Sequence, residues 1–345
     1  MADGSTINNN TVNKNMINKN MINKNIINKD TIKEDAVNKE KNFMSAVIYI
    51  HNDEERVGNF LETVMGVLED NFEHSEIICV NDYSRDNSVG VVRDIGSNAH
   101  NTTITVLNMS YFHGVEIAMN AGVDLAIGDF VLEFDSCALD FMPRQIMEVY
   151  RKSLEGYDIV SASPDQKQRF TSNIFYSVFN KFTDFSQKLY SERFRVLSRR
   201  VINRISSMNK SVLYRKAVYA NCGLKTINIR YPVTGGQSGK EDKAERKYRT
   251  ELAVSSMILF TGLGYRFSVT MTVIMMLVAV FVAVYSAFVY LFSTPVAGWT
   301  TTIFFMSFAF FGLFGILTII IKYLQILVDL VFRRKKYSFE SIEKM

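Results

Sequence analysis

"VEIAMNAGVDLAIGDFVLEFD" (residues 115–135) changes period in its middle. The first part, 115–127, spaces its apolar residues as one face of a helix does, and 129–135 alternates apolar and polar residues as a half-buried strand does. A helix running straight into a strand is one unit of an α/β fold. Reading outward, "SAVIYI" (45–50), "SEIICVND" (75–82) and "NTTITVLNM" (101–109) predict strands. The stretches 56–72 and 88–98 predict the helices between them. Strict alternation of strand and helix argues for a mainly parallel sheet flanked by helices on both faces. In such sheets ligands bind at the carboxyl ends of the strands.

That rule selects three loops: "HNDEE" (51–55), "NDYSRDNS" (81–88) and "DSCALD" (135–140). Taken singly, each set of Asp, Asn and Ser is explained by capping of the next helix, and Asp82, Ser84 and Asp86 are all of the right type for it. Three such loops on one edge of one sheet are better explained by a site. The chain has no GxxxxGK[ST] and no GxGxxG, which argues against a phosphate cradle of the P-loop or dinucleotide type. An edge lined with carboxylates suits a nucleotide diphosphate bridged by a divalent cation, because Mg²⁺ is typically held by one or two carboxylates together with substrate phosphates. The same carboxylates accept hydrogen bonds from a base N–H or a ribose hydroxyl.

The rest of the chain is organised around this domain. Residues 12–41 repeat every five, as in "INKNM", and are rich in Asn and Lys without aromatics, so residues 1–42 are expected to be a disordered tail. Residues 43–231 have globular composition, and 232–265 read as a linker and an interfacial helix that mixes basic with apolar residues. The stretch 169–185 reads the same way, with core packing as its alternative. No charged residue or histidine occurs between Phe267 and Ile321, and "STPVAGW" (293–299) interrupts that run. The segment 266–332 therefore predicts two transmembrane helices joined by a hairpin. Basic residues on both sides, Arg246, Lys247, Arg249 and Arg266 before it and "RRKK" (333–336) after it, put both flanks and both termini on the cytoplasmic side. Residues 333–345 are then a basic tail. The net charge of +4 needs only anionic lipid headgroups to account for it and no nucleic acid. Three cysteines, at 79, 137 and 222, form no metal-type spacing and suit a reducing compartment.

The order "HNDEE", "NDYSRDNS", "FHGVEIAMNAGVDLAIGDFVLEFD" and "FRVLSRR" (194–200), followed by two membrane helices, resembles the family 2 glycosyltransferases that act on polyprenyl phosphates. The resemblance implies a GT-A type domain on the cytosolic membrane face that moves a sugar from a nucleotide-sugar donor to a polyprenyl-phosphate lipid, and it leaves a homo-oligomer open. The family's Tyr-Asn-Glu-Glu falls on His51, Asn52, Asp53 and Glu54, and its Asp-Asp-Gly-Ser-x-Asp on Asn81, Asp82, Tyr83, Ser84 and Asp86. Its Gly-Lys-Glu falls on Gly114, Val115 and Glu116. Donor binding is thereby expected from Asn52, Glu54, Asn81, Asp82, Ser84, Asp86, Gly114 and Asp135.

Four departures from the pattern bear on the chemistry. Asn81 replaces an Asp and Val115 a Lys. Cys137 replaces the second Asp of the metal-binding Asp-x-Asp, which leaves Asp135 to hold Mg²⁺ or Mn²⁺ weakly, since a thiol suits softer metals. Arg193 replaces the proposed catalytic base, with Glu192 beside it as a substitute. Arg195 and Arg199 remain and are expected to hold a donor or acceptor phosphate. The retained positions favour an active transferase. The four departures favour the alternative, a scaffold or regulatory protein of the same fold that binds without chemistry.

Overall fold

A computed structural model of the chain describes residues 39–97, 99, 101–166, 170–183, 187–207, 214–235, 243–261 and 337–345, with scattered positions from 267 to 327. The repeat tail before residue 39 and most of 266–332 lie outside the described residues. Among those described, no helix is long and apolar enough to cross a membrane.

The chain runs β1 (Met44–Ile50), α1 (Glu54–Asn71), β2 (Ser75–Asn81), α2 (Ser88–Gly96), β3 (Thr102–Met109), α3 (Val115–Leu125), β4 (Phe130–Phe134) and α4 (Arg144–Leu154). It continues through β5 (Ile159–Pro164), α5 (Phe170–Phe182), β6 (Phe194–Ser198), α6 (Arg199–Ser207), α7 (Arg215–Ala220), β7 (Thr226–Tyr231), α8 (Lys243–Phe260) and β8 (Phe339–Lys344). One eight-stranded sheet has the order β7-β5-β6-β4-β1-β2-β3-β8. Strands β3, β2, β1 and β4 are parallel neighbours, whereas β6 runs antiparallel to both β4 and β5. The register pairs Ile50 with Asn81 and Ile48 with Phe134, so the loops after β1, β2 and β4 open on the same edge of the sheet.

Because β1 is buried on both faces, it carries apolar residues at almost every position. Met44, Ala46 and Ile48 face Val57, Phe60, Leu61 and Val64 of α1, while Val47 and Tyr49 face Ala118, Met119 and Ala121 of α3. Helix α3 reaches the sheet through Gly122, where an added Cβ would stand 2.5 Å from Val47 Cγ1 and 2.6 Å from Val80 Cγ2. A third cluster packs Phe175, Tyr176 and Phe179 of α5 against Leu252, Met257 and Phe260 of α8 and against Tyr214 and Ala217. The two stretches read as interfacial helices therefore pack on each other, and core packing accounts for the apolar positions that form this contact.

The expected C-terminal tail is in part a strand. Phe339–Lys344 lies antiparallel to β3, and Arg93 Nε and Nη2 donate to Glu343 Oε2 and Oε1, both at 2.9 Å. Most of its side chains are exposed. Its pairing rests on the main-chain ladder, so it carries little apolar periodicity to reveal it. Gly122→Ala should overpack the contact between α3 and the sheet and destabilise the protein by about 1–3 kcal/mol, read as a lowered urea midpoint at unchanged slope.

Candidate functional site

Loops after β1 and β2 are bound to each other through the polar residues singled out above. Asn52 N–H donates to Ser84 Oγ at 3.1 Å, and Asn52 Oδ1 accepts from Arg85 N–H at 2.8 Å. Asp86 accepts from the backbone of Glu54 at 3.0 Å and from both the N–H and the hydroxyl of Ser88, while Glu54 Oε2 accepts from Asn87 N–H at 3.1 Å. Burial alone would raise the Asp86 carboxyl, but the hydrogen bonds from Ser88 and Glu54 outweigh it and hold the group below its ordinary value. Asn81 Oδ1 accepts from Ser84 N–H and its Nδ2 donates to Asn108. Asn52, Glu54, Asn81, Ser84 and Asp86 are thus brought together as expected, and all five are engaged in holding the loops.

Two residues of these loops have positive φ without being glycine, Asn52 at 51° and Tyr83 at 60°. Asn tolerates that region, but a tyrosine there is strained. Tyr83 occupies the position where the resembled motif has Gly, and its ring is 44% exposed. Tyr83→Gly should be neutral or stabilising by up to about 1 kcal/mol, measured as a thermal midpoint equal to or above that of the wild type.

Asp82 lies behind these loops, 0% exposed. Its Oδ1 accepts from His113 N–H at 2.8 Å, and its Oδ2 accepts from Gly114 N–H at 2.7 Å and from the Tyr49 hydroxyl at 3.0 Å. Burial raises its carboxyl above the ordinary value despite these donors. Gly114 has φ of 82°, and an added Cβ would stand 2.2 Å from the ring of Tyr248 on α8. This glycine is required both by its backbone and by the close approach of α8.

At the end of β4 the arrangement differs from the expectation. Asp135 Oδ2 accepts from Arg195 Nη2 at 2.8 Å and its Oδ1 from Arg215 Nη2 at 2.5 Å. Arg195 also donates to Glu133 at 2.8 Å and Glu192 at 3.1 Å, and Arg215 to Glu133 at 2.8 Å and Glu116 at 3.1 Å. The Tyr219 hydroxyl adds a further bond to Glu133, and its ring lies under the Arg195 guanidinium. Burial works against the Asp135 charge, but Arg195 and Arg215 overcome it and hold the carboxyl well below the usual range.

Two expectations for the arginines are corrected. Arg195 is 0% exposed and spends its donors on Glu133, Asp135 and Glu192, so it presents none to a phosphate. Arg199 binds the Gly128 carbonyl, which precedes β4 and so lies at the opposite edge of the sheet from Asp135. Arg193 is tied to Asp140 at 2.8 Å, and Glu192 is taken by Arg195, so no unpaired carboxylate stands at the position of the expected base.

The residues present do not form a ready metal site. Both oxygens of Asp135 already take guanidinium donors, with which a metal ion would have to compete. Cys137 is buried, its thiol pushed up by burial and donating to the Tyr49 carbonyl. Among the described residues, no group of three or more His, Cys, Asp or Glu is placed to hold a metal ion.

Asp135 forms part of the floor of an open cleft of about 660 Å³. Its walls come from the 191–193 segment, from Phe175 and Tyr176 of α5, from Tyr214 and Lys216, and from a stripe of α8 that includes Arg246, Arg249 and Ser256. Three carboxylates line it, Glu116, Asp135 and Glu192, and each is paired with Arg195 or Arg215. Ser256 is 1% exposed, and its hydroxyl has no hydrogen-bond partner among the described residues.

Sequence reasoning missed Glu133, Arg215, Lys216, Tyr219 and Tyr248. Glu133 carried a weak signal, a charge inside an otherwise apolar strand. The others lie far along the chain from the loops they complete. Glu133→Ala should leave Arg195 and Arg215 short of a counter-charge and lower stability by about 3–5 kcal/mol, seen as a drop in the thermal midpoint much larger than that of any surface Glu→Ala control.

Residues 45–213 match the sequence family described as Glycosyl transferase family 2. An uncharacterized glycosyltransferase of Synechocystis sp. is 32% identical over 188 residues, which are 53% of this chain and 58% of that protein. A prophage bactoprenol glucosyl transferase homolog of Escherichia coli is 27% identical over 54% of this chain and 62% of its own length. An undecaprenyl-phosphate 4-deoxy-4-formamido-L-arabinose transferase of Shewanella sediminis is 25% identical over 48% of this chain and 51% of its own length. The chain thus spans somewhat more than half the length of these relatives. Among solved structures, a mannosyltransferase from Pyrobaculum calidifontis in complex with GDP-Man and Mn²⁺ is similar with a TM-score of 0.47 and 14% identity, over 67% of this chain and 68% of that one.

Proposed function

We propose, from the match of residues 45–213 to glycosyl transferase family 2, that this chain is a GT-A type enzyme transferring a sugar from a nucleoside-diphosphate donor to a polyprenyl phosphate at the cytosolic face of a membrane. The observation that carries the reading is the charge arrangement of the cleft. Its lining carboxylates are paired from behind with two buried arginines, and Lys216 and Arg246 line it together with Arg193 and Arg249, which are themselves paired with Asp140 and Glu245. Such a cleft suits two anionic substrates. The donor nucleoside lies over the Asp82 and Asn52 edge, held against the loops after β1 and β2, with its diphosphate directed to the end of β4. The acceptor phosphate enters along α8, where Arg246 offers charge and Ser256 a hydroxyl without a hydrogen-bond partner among the described residues.

In the reaction an acceptor phosphate oxygen attacks the anomeric carbon as the bond from that carbon to the donor diphosphate breaks. The nucleoside diphosphate leaves with the electron pair, and the configuration inverts. A general base typically contributes ~10²–10⁴-fold to a rate. An alcohol acceptor would need one here, and the position of the expected base holds Arg193. A phosphate monoester is already an anionic nucleophile, so the absence of a free carboxylate beside Arg193 is compatible with transfer to it. The relatives named for bactoprenol and undecaprenyl phosphate support the same acceptor class.

The test incubates the purified full chain with radiolabelled UDP- and GDP-sugars and a polyprenyl phosphate, and follows label into the organic phase. Label should enter the lipid, fall at least about tenfold in Arg246→Ala, and decline below about pH 6 as the acceptor phosphate dianion takes up a proton and becomes the less nucleophilic monoanion. No lipid product from any donor, with protein shown to be folded, would replace this reading with that of a non-catalytic scaffold.

A further inference from the structure

Resting on the reading of the cleft as a donor and acceptor site, we infer that Lys216 supplies the positive charge that holds the donor diphosphate, and that nucleotide binding by this chain requires no divalent metal. Four observations lead there. First, each oxygen of Asp135 at the end of β4 is already paired with a different buried guanidinium, with which a metal ion would have to compete. Second, the residue two positions on is Cys137, a thiol in place of a carboxylate, buried and donating to the Tyr49 carbonyl. Third, Glu116 and Glu192, the other acids lining the cleft, are held by Arg215 and Arg195.

Fourth, Lys216 follows Arg215 in α7 and lines the same cleft as Asp135 and Ser136. It is half-buried. Burial works against its charge, but Tyr176, Glu192 and Asp135 outweigh that and keep the ammonium charged. Four carboxylates, Glu116, Glu133, Asp135 and Glu192, meet two arginines in the floor of the cleft, so the floor keeps an excess of negative charge. Lys216 offsets part of it from the cleft side. An ammonium is a compact point charge with three donors, which suits phosphate oxygens of varied geometry. The arginines of the floor thus take the carboxylates that would hold a metal, and a lysine on the wall takes the metal's part in meeting the phosphates.

The test is equilibrium binding of UDP and of GDP to the purified full chain, once in EDTA and once in Mn²⁺. One of the two nucleotides should bind with dissociation constants that agree within about twofold between the conditions. Lys216→Ala should weaken that binding about tenfold in EDTA, and Lys216→Arg should recover most of it. Binding that appears only with Mn²⁺ overturns the inference and leaves the transferase reading intact. Unchanged affinity in Lys216→Ala, with the wild type binding in EDTA, overturns the assignment of Lys216. No binding of either nucleotide under either condition, by protein with a cooperative thermal transition, overturns the donor reading and this inference with it.

Discussion

Two buried guanidiniums hold the functional edge of this protein together. Arg195 from β6 and Arg215 from α7 meet Glu133 and Asp135 of the β4 end, Glu116 of α3 and Glu192. A charge taken out of water is costly unless it is paired and hydrogen-bonded. Each member of the cluster therefore fixes the others, and three of the elements that border the cleft are locked to the sheet by the same contacts. The antiparallel insertion of β6 between β4 and β5 follows this logic, because it brings Arg195 into register opposite Glu133.

The other half of the edge is built from weaker contacts in larger number. The loops after β1 and β2 exchange hydrogen bonds between backbone donors and the side chains of Asn52, Ser84, Asp86 and Glu54. This lattice sets Asp82 against the N–H groups of His113 and Gly114. Helix α8 closes over Gly114 through Tyr248, so the element that leads toward the apolar stretch also touches the edge that carries Asp82. An acceptor that reached the cleft along α8 would meet the donor side within the same packed unit.

Much of the α/β core was legible because its signals are local. Helix and strand periods change cleanly at the turns between β1 and β4, and "VEIAMNAGVDLAIGDFVLEFD" alone carries one such change. The acidic loops were legible for the same reason, since the parallel order places them on one edge. The strand β8 was not, because it is held by a main-chain ladder and by Arg93 with Glu343, neither of which leaves an apolar pattern. Arg195 and Arg199 were read as one phosphate-holding pair because they share a short motif, yet one is buried among carboxylates and the other binds the Gly128 carbonyl at the opposite end of the β4 region.

The sequence by itself determined the α/β alternation, the polar loops that gather on one edge of the sheet, the departures at Asn81, Val115, Cys137 and Arg193, and the long uncharged stretch near the C-terminus. Those properties are written in residue type and spacing. Only the tertiary structure decided what Asp135 does, because its partners Arg195 and Arg215 lie far from it along the chain and arrive through β6 and α7. It decided equally that Arg195 is buried and that Lys216 faces the cleft. A charge has no function until its counter-charge and its access to solvent are known, and both are set by packing between distant segments.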